Sequence, residues 1–343
     1  MQKKLIALAV AAIVTAPAFA QTSAVTVYGR VDMGYSFLGD NSNSAVDDRN
    51  GFDSSLLAPS FIGFKGVEDL GNGLKVGFDV QTRLDFDVNE ERDFLASGSR
   101  RDAFLYVSGG FGTVAMGRLT TFQDSLLGSV DPMGSSSYAG YATTWTQAAA
   151  GLGYDNSRLD NVVAYISPNF SGLTVKAAYT FNANGQETGQ AGDTEVWAIS
   201  PVYNNGPLTV GANYHQVDVD GANSEETVWD LAAAYDFGMV KLSAAYGEDE
   251  TEIGSASETV KQWFVGATVP VGAAGKVALV YGEQENDDVA NSQTDRWAVG
   301  YFHNLSKRTT LFTQYGSFDY STNSFDGIKG YEDSFVAGVQ HRF

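Results

Sequence analysis

The chain has 343 residues, of which 43% are hydrophobic and 13% aromatic, with 38 Gly and no Cys. Its formal net charge of −20 argues against nucleic acid as a partner, because phosphate binding needs a basic surface. The absence of Cys excludes disulfides, thiolate metal sites and Cys nucleophiles, and the apolar content is too high for a disordered chain.

The first twenty residues have the layout of a secretory signal peptide. Lys3 and Lys4 precede an apolar run over 5–14, and an Ala-Phe-Ala cleavage site follows. We therefore predict that 1–20 is removed and that 21–343 works in the periplasm, in the outer membrane or outside the cell. No later run reaches the ~20 apolar residues that a membrane-spanning helix needs.

Strict alternation of apolar and polar residues is the main pattern after the signal peptide. It is clearest over 25–37, 74–87, 173–181, 240–246 and 335–343. A period of two indicates β-strands with one apolar face. The lengths of these segments fit tilted strands, which cross a bilayer in ~9–11 residues.

Two kinds of connection alternate between the strands. Short turns rich in Gly and Asn, which tolerate positive φ, lie at 69–73, 109–112, 168–172, 204–207, 236–238, 272–275 and 304–307. Longer polar stretches lie at 39–59, 87–101, 119–152, 182–194, 217–226, 247–258, 283–295 and 319–332. Seven short and eight long connections imply sixteen strands, with all short turns at one end.

This order predicts an all-β fold, a transmembrane antiparallel β-barrel of 16 strands with short periplasmic turns and long external loops. Closure is expected because an open sheet edge in lipid would leave backbone groups unpaired. A secreted β-sandwich or β-solenoid is the alternative. Sandwiches do not sort their loops by length, however, and the chain has no fixed repeat of the kind that solenoids show.

Several segments carry a family resemblance, in order along the whole mature chain. They are VTVYGRVD at 25–32, GFKGVEDLGNGL at 63–74, GGFGT at 109–113 with MGR at 116–118, RLDN at 158–161 with YISPNFSGL at 165–173, and the terminal Phe343. Together they resemble the trimeric general diffusion porins of Gram-negative bacteria. One departure is that these porins often have Arg directly before an F-G-F-K-G segment, whereas this chain reads SFIGFKG over 60–66, so one expected cation of the pore wall is missing.

The resemblance implies an outer-membrane channel that assembles as a homotrimer. It also implies a third loop, about 119–152, that folds into the barrel, and a role for Phe343 as the signal for the barrel-assembly machinery. The acids of such a loop face a ladder of basic wall residues. In this chain the loop's only acids are Asp124 and Asp131.

A barrel of about 16 strands encloses an aqueous channel, and the charges at its narrowest ring set selectivity. The predicted basic wall consists of Arg30, Lys65, Arg83, Arg118 and Arg158. All but Arg118 point to the lumen by strand parity. Arg118 shares the parity of Met116, and we place it in the lumen by assuming a bulge at Gly117, since Arg facing lipid is costly.

We predict passive diffusion of small hydrophilic solutes and ions. The external loops are acidic and should concentrate cations, which predicts cation preference at low salt, although the basic wall could reverse it. The same acids could hold divalent cations that bridge to lipopolysaccharide. A substrate-specific channel and a surface anchor or receptor are the alternative functions.

The sequence predicts neither an enzyme nor a cofactor or metal site. His215, His303 and His341 are the three His residues, and no two have metal-binding spacing. A G-x-S-x-G nucleophile motif and a G-x-G-x-x-G phosphate loop are also absent from the sequence.

Overall fold

The computed structural model describes residues 24–39, 47–87, 100–143, 145, 157–185, 192–221, 224–321 and 331–343. The predicted signal peptide and parts of several predicted loops lie outside the described residues. In the described part of the chain, no helix has the length and apolar character needed to cross a membrane.

The chain is built almost entirely of strands. They are β1 (Ala24–Gly39), β2 (Arg49–Ser54), β3 (Phe61–Gly71), β4 (Leu74–Arg83), β5 (Arg100–Gly109), β6 (Gly112–Thr120), β7 (Arg158–Ile166), β8 (Leu173–Thr180), β9 (Thr194–Asn205), β10 (Leu208–Val219), β11 (Ser224–Asp236), β12 (Lys241–Ile253), β13 (Ala256–Val271), β14 (Gly275–Asn286), β15 (Thr294–Asn304), β16 (Thr309–Tyr320) and β17 (Asp333–Arg342). One α-helix, α1 (Phe122–Val130), and a 3-10 turn, Tyr141–Thr143, lie between β6 and β7.

All strands belong to one antiparallel sheet that closes on itself where β1 pairs with β17. The first half of β1 pairs with β3 and its second half with β2, so these two segments share one place in the wall. The seventeen segments therefore make a closed barrel of sixteen strand positions, which confirms the predicted fold. β2 is one difference, since it lies inside the stretch predicted as the first long loop. Another is the predicted long loop 247–258, where β12 continues to Ile253 and β13 begins at Ala256, so the connection is a tight turn.

Side chains alternate between an outer and an inner face of the wall. Large apolar residues are exposed on the outer face, among them Leu105, Met116, Leu231, Val265 and Leu279. The principal buried cluster lies inside the barrel, where Leu126 and Leu127 of α1 pack near Phe264 and Ala278 of the wall. The stretch between β6 and β7 is thus folded against the inner wall, along β9–β12.

Asp32 holds the segment between β2 and β3 inside the barrel. Its buried carboxylate accepts hydrogen bonds from the backbone N–H groups of Leu56 at 2.9 Å, Leu57 at 3.2 Å and Ala58 at 3.1 Å. The side chain of Gln340 donates another at 2.9 Å. Since Leu56 and Leu57 belong to the same buried cluster as α1, this segment supports the structure that narrows the lumen.

Candidate functional site

The lumen is narrowed by α1 and the residues that follow it. The helix begins after Thr121, whose hydroxyl accepts the N–H of Asp124 at 3.2 Å as an N-cap. Gln123, Leu126, Leu127 and Val130 are its buried residues. With Leu126, Leu127 and Val130 in the apolar cluster on the inner wall, the helix is held against one side of the barrel.

Asp131 ends the helix and shapes the next turn. Its carboxylate accepts backbone hydrogen bonds from Met133 at 2.9 Å, Ser135 at 2.9 Å and Tyr141 at 3.1 Å. Three N–H partners use most of the acceptor capacity of the group. Asp131 was expected among the acids that face the basic wall, but these contacts give it a structural part within the loop.

The loop is also tied to the far wall, over β15–β17. The guanidinium of Arg296 donates to the carbonyls of Ala139, at 3.1 Å, and Gly140, and to Oγ1 of Thr143 at 2.8 Å. Gln314 donates to the Met133 carbonyl at 3.0 Å. Ser334 on β17 adds a third tether, to the carbonyl of Tyr138 at 2.8 Å. Arg296 is only 1% exposed, so its charge serves the loop and not the water-filled space.

Two arginines stack on one aromatic ring at the inner wall. The guanidinium carbon of Arg30 lies 5.4 Å from the ring centre of Phe61, and that of Arg101 lies 5.1 Å from the same ring. Arg30 also donates to the carbonyl of Pro59, at 3.0 and 2.8 Å. Arg101 donates to Gln81 at 3.3 Å. Within the described ranges, neither guanidinium forms an ion pair with a carboxylate.

The acids near this cluster already have partners. Asp102 pairs with Arg158 at 3.2 Å and accepts the hydroxyl of Thr120 at 2.7 Å. Asp124 accepts a hydrogen bond from the hydroxyl of Tyr141. Burial raises the pKa of Asp124, although the Tyr141 hydroxyl and Arg158 act in the opposite direction. Burial, together with the adjacent Asp124, also raises the pKa of Tyr141 well above its usual value. Positive charge therefore outweighs negative charge here.

Lys65 and Arg83 lie on the inner face on either side of the Phe61 ring. Lys65 Nζ is 4.5 Å from the ring centre of Tyr28. Arg83 is opposite Phe61 in the β3–β4 pairing and forms an ion pair of 3.1 Å with Asp85. Arg83 is largely exposed and already paired, so it contributes a weaker field to the narrowing than Arg30 and Arg101.

Arg118 lies on the outer face of the barrel and not in the lumen. The pairing of β5 with β6 is regular, with Leu105 opposite Met116 and Ala103 opposite Arg118. Directly opposed residues project to the same side of a sheet, and side chains alternate along a strand. Arg118 therefore shares the face of Leu105 and Met116, which are 47% and 44% exposed.

The irregularity expected at Gly117 exists, but the additional residue belongs to the partner strand. Between two successive pairings, β6 runs two residues, from Gly117 to Leu119, whereas β7 runs three, from Val162 to Leu159. Asn161 on β7 has a φ of 53°, which is unusual for a residue other than Gly. A bulge on β7 leaves the alternation of β6 unchanged. Arg118 consequently stays outside and forms an ion pair with Asp160 at 3.1 Å.

Arg101 and Arg296 are site residues that the sequence analysis missed. Arg101 fell in a predicted loop, whereas the structure begins β5 at Arg100 and shifts the register between Val80 and Thr82. The run of charges over 100–102 just before an apolar strand was the available signal. Nothing in the sequence marks Arg296, because its partners are backbone carbonyls far along the chain.

The terminal Phe343 completes the closing seam of the barrel. Its N–H donates to the carbonyl of Gly29 at 3.1 Å, and its own carbonyl accepts the N–H of Gly29 at 3.0 Å. The side chain is exposed. Its predicted part in assembly stays a prediction.

Comparison with known proteins identifies relatives over the full length. A family model described as Gram-negative porin matches residues 7–323. Outer membrane porin protein 32 of Delftia acidovorans is 33% identical, covering 99% of this chain and 95% of that protein. An outer membrane porin protein of Bordetella pertussis is 28% identical over 100% of both chains.

Solved structures show the same fold. The anion-selective porin from Comamonas acidovorans superposes with a TM-score of 0.81 at 28% identity, covering 94% of this chain and 100% of that one. The trimer form of OmpT from Vibrio cholerae has a TM-score of 0.71 at 17% identity, with 94% and 100% covered.

Proposed function

Since the chain belongs to the Gram-negative porin family, whose members are non-enzymatic channels of the outer membrane, we propose that it lets small hydrophilic solutes and ions diffuse passively through a water-filled lumen, with anions preferred. The observation that carries the anion preference is the pair of arginines on Phe61. Arg30 and Arg101 face the narrowed lumen without a carboxylate partner in the described residues.

The acids near the narrowing already have hydrogen-bond or ion-pair partners, which supports the same direction of selectivity. Asp131 is bound by backbone N–H groups, Asp102 is paired with Arg158, and Asp124 accepts the Tyr141 hydroxyl. A permeating anion meets fixed positive charge at the narrowest ring, which is where selectivity is determined. The porin from Comamonas acidovorans is anion-selective and is similar to this chain over its whole length, which is further support.

Cation preference, expected from the acidic loops, is the competing outcome. Glu250 and Glu252 near the end of β12, and Asp288 just after β14, are examples of acids at the external end of the strands. Their attraction for cations is screened beyond about 10 Å at 0.1 M salt and reaches about 30 Å at 0.01 M. The narrowing should therefore decide selectivity at moderate salt, and the loops should weaken the anion preference only in dilute solution.

Reversal potentials across planar bilayers test this proposal. In a KCl gradient with about 0.1 M on the dilute side, where the loop charges are screened, we expect the sign of a chloride-preferring channel. Lowering both sides tenfold should reduce the potential without changing its sign. A reversal potential with the sign of a potassium-preferring channel at the higher concentrations would contradict the proposed anion preference. It would indicate that the acidic loops determine the selectivity.

We also propose that the protein assembles as a homotrimer, and the outer face indicates which arc is covered. Four tryptophan–tyrosine pairs lie along β9–β16, with 5.1–5.5 Å between the ring centres of each pair: Trp197–Tyr214, Trp229–Tyr246, Trp263–Tyr281 and Trp297–Tyr315. Such residues form belts where a barrel meets the membrane surface. The described residues of β3–β7 contain no such pair and carry the Arg118–Asp160 ion pair instead. A charged pair of this kind is better covered by protein than by lipid.

Single-Cys variants test the covered arc, because the natural chain has no Cys. Leu105→Cys on β5 and Leu279→Cys on β14 are a matched pair, since the two leucines are 47% and 49% exposed on the outer face. With a bifunctional maleimide, we expect Leu105→Cys to yield cross-linked subunits and Leu279→Cys to stay monomeric on denaturing gels. Equal cross-linking of both variants would contradict the assignment of the arc.

A further inference from the structure

A strongly basic cavity of about 570 Å³ lies at the end of the lumen that carries the short turns. Five of its lining residues are cationic, namely Arg30, Lys276, Lys307, Arg308 and Arg342. The described residues that line it include no acid. This is unusual in a chain whose net charge is −20.

The strand register brings these cations together. Arg30 and Arg342 are directly opposite each other in the pairing of β1 with β17. The N–H of Arg342 donates to the carbonyl of Arg308 at 2.8 Å, which places the turn before β16 next to them. On the other side of the cavity, Lys276 Nζ lies 4.6 Å from the ring centre of Phe302.

The five cations repel one another, and an anion bound among them would relieve that repulsion. Like charges directly opposite each other on neighbouring strands are destabilising. Within the described part of the chain, none of the five cations forms an ion pair. An anion in the cavity would therefore meet five unpaired cations at once, with no acid among the described lining residues to compete with it.

We propose that this cavity binds a small polyvalent anion, carrying two or more carboxylate or phosphate groups, on its way through the channel. Guanidinium groups form paired hydrogen bonds with both kinds of oxyanion, and lysine adds a point charge. The cavity volume falls in the range of small-molecule sites, ~300–1,000 Å³. The inference rests on the proposed channel, and it adds a saturable site to a pore that would otherwise only conduct.

The location of the cavity in the lumen indicates that it is reached from the short-turn side. Gly134 of the third loop and Leu57 of the segment between β2 and β3 form its boundary toward the narrowing. Ala273 and Ala274, in the turn before β14, line it at the opposite limit. An anion arriving from the periplasm therefore meets this cavity before it meets the narrowest ring.

Current block by inorganic pyrophosphate tests the site. Added to the short-turn side of single channels in KCl, it should block in a saturable way, and from the loop side the same block should need higher concentrations. Citrate, as a polycarboxylate, distinguishes carboxylate from phosphate recognition. Lys276→Gln and Arg308→Gln should each raise the half-blocking concentration about tenfold, the worth of one charged contact.

Lys75→Gln is the matched control. Lys75 lies on β4 at the same end of the barrel, and its substitution removes one positive charge, as the two test substitutions do. It should leave the block unchanged. Equal loss of block in Lys75→Gln, or no saturable block at all, would overturn the site. If the chloride sign of the reversal potential persists in those membranes, only the site fails. A potassium sign would show that the proposed anion preference has failed.

Discussion

Replacing both Arg30 and Arg101 by Gln is expected to abolish the anion preference and to make the channel prefer cations. These are the two guanidinium groups that face the narrowed lumen and lack a carboxylate partner in the described residues. Without them, Asp102 is still balanced by Arg158, and Asp124 is left as the acid of the ring that no cation among the described residues pairs with. A unit charge about 4 Å from a passing ion contributes about 1 kcal/mol in water. Two charges should therefore shift the permeability ratio by more than tenfold.

The measurement is the reversal potential in a KCl gradient, with single-channel conductance recorded in the same membranes. Lys75→Gln/Lys241→Gln is the control, because it removes two cations at the short-turn end of β4 and β12, away from the ring. The control should keep the chloride sign. If the control and the Arg30/Arg101 variant shift alike, selectivity follows the total charge of the barrel and not the two stacked arginines.

The barrel could be predicted from the sequence because lipid and water impose a simple period on it. Each strand needs an apolar outer face and a polar inner face, so the alternation records every crossing. β2 escaped this rule, since RNGFDS over 49–54 has no apolar alternation and extends the wall only beside the second half of β1. Pairing partners, and not its own pattern, make it a strand.

The site could be predicted less completely, because parity depends on every residue between two positions. Strand parity in the sequence indicated inner-face positions for Arg30 and Lys65, and the structure places both side chains there. Parity could not show that the additional residue beside Gly117 belongs to β7, and this placement leaves Arg118 on the outer face. Arg101 supplies a cation beside Phe61, in the segment before GFKG where the family pattern often has Arg.

Replacing Arg296 by Met is expected to loosen the third loop and widen the channel. Arg296 is 1% exposed and donates to the carbonyls of Ala139 and Gly140 and to the hydroxyl of Thr143. Met has a similar length but no donor, so two buried carbonyls lose their partner. A buried acceptor left unpaired costs about 1–3 kcal/mol. The loop should then leave the wall part of the time.

Single-channel conductance and exclusion of polyethylene glycols of rising size measure the widening. We expect a higher, noisier conductance and a larger exclusion limit in Arg296→Met, while Arg296→Lys, which keeps a donor and the charge, should lie between it and the natural protein. Gln314→Leu is a second control, since it removes only the single tether to the Met133 carbonyl. Replacing a buried ion by an apolar side chain can also stabilise a protein. A folded Arg296→Met channel with unchanged conductance and exclusion would therefore show that the hydrophobic cluster around Leu126 and Leu127 holds the loop without its arginine anchor.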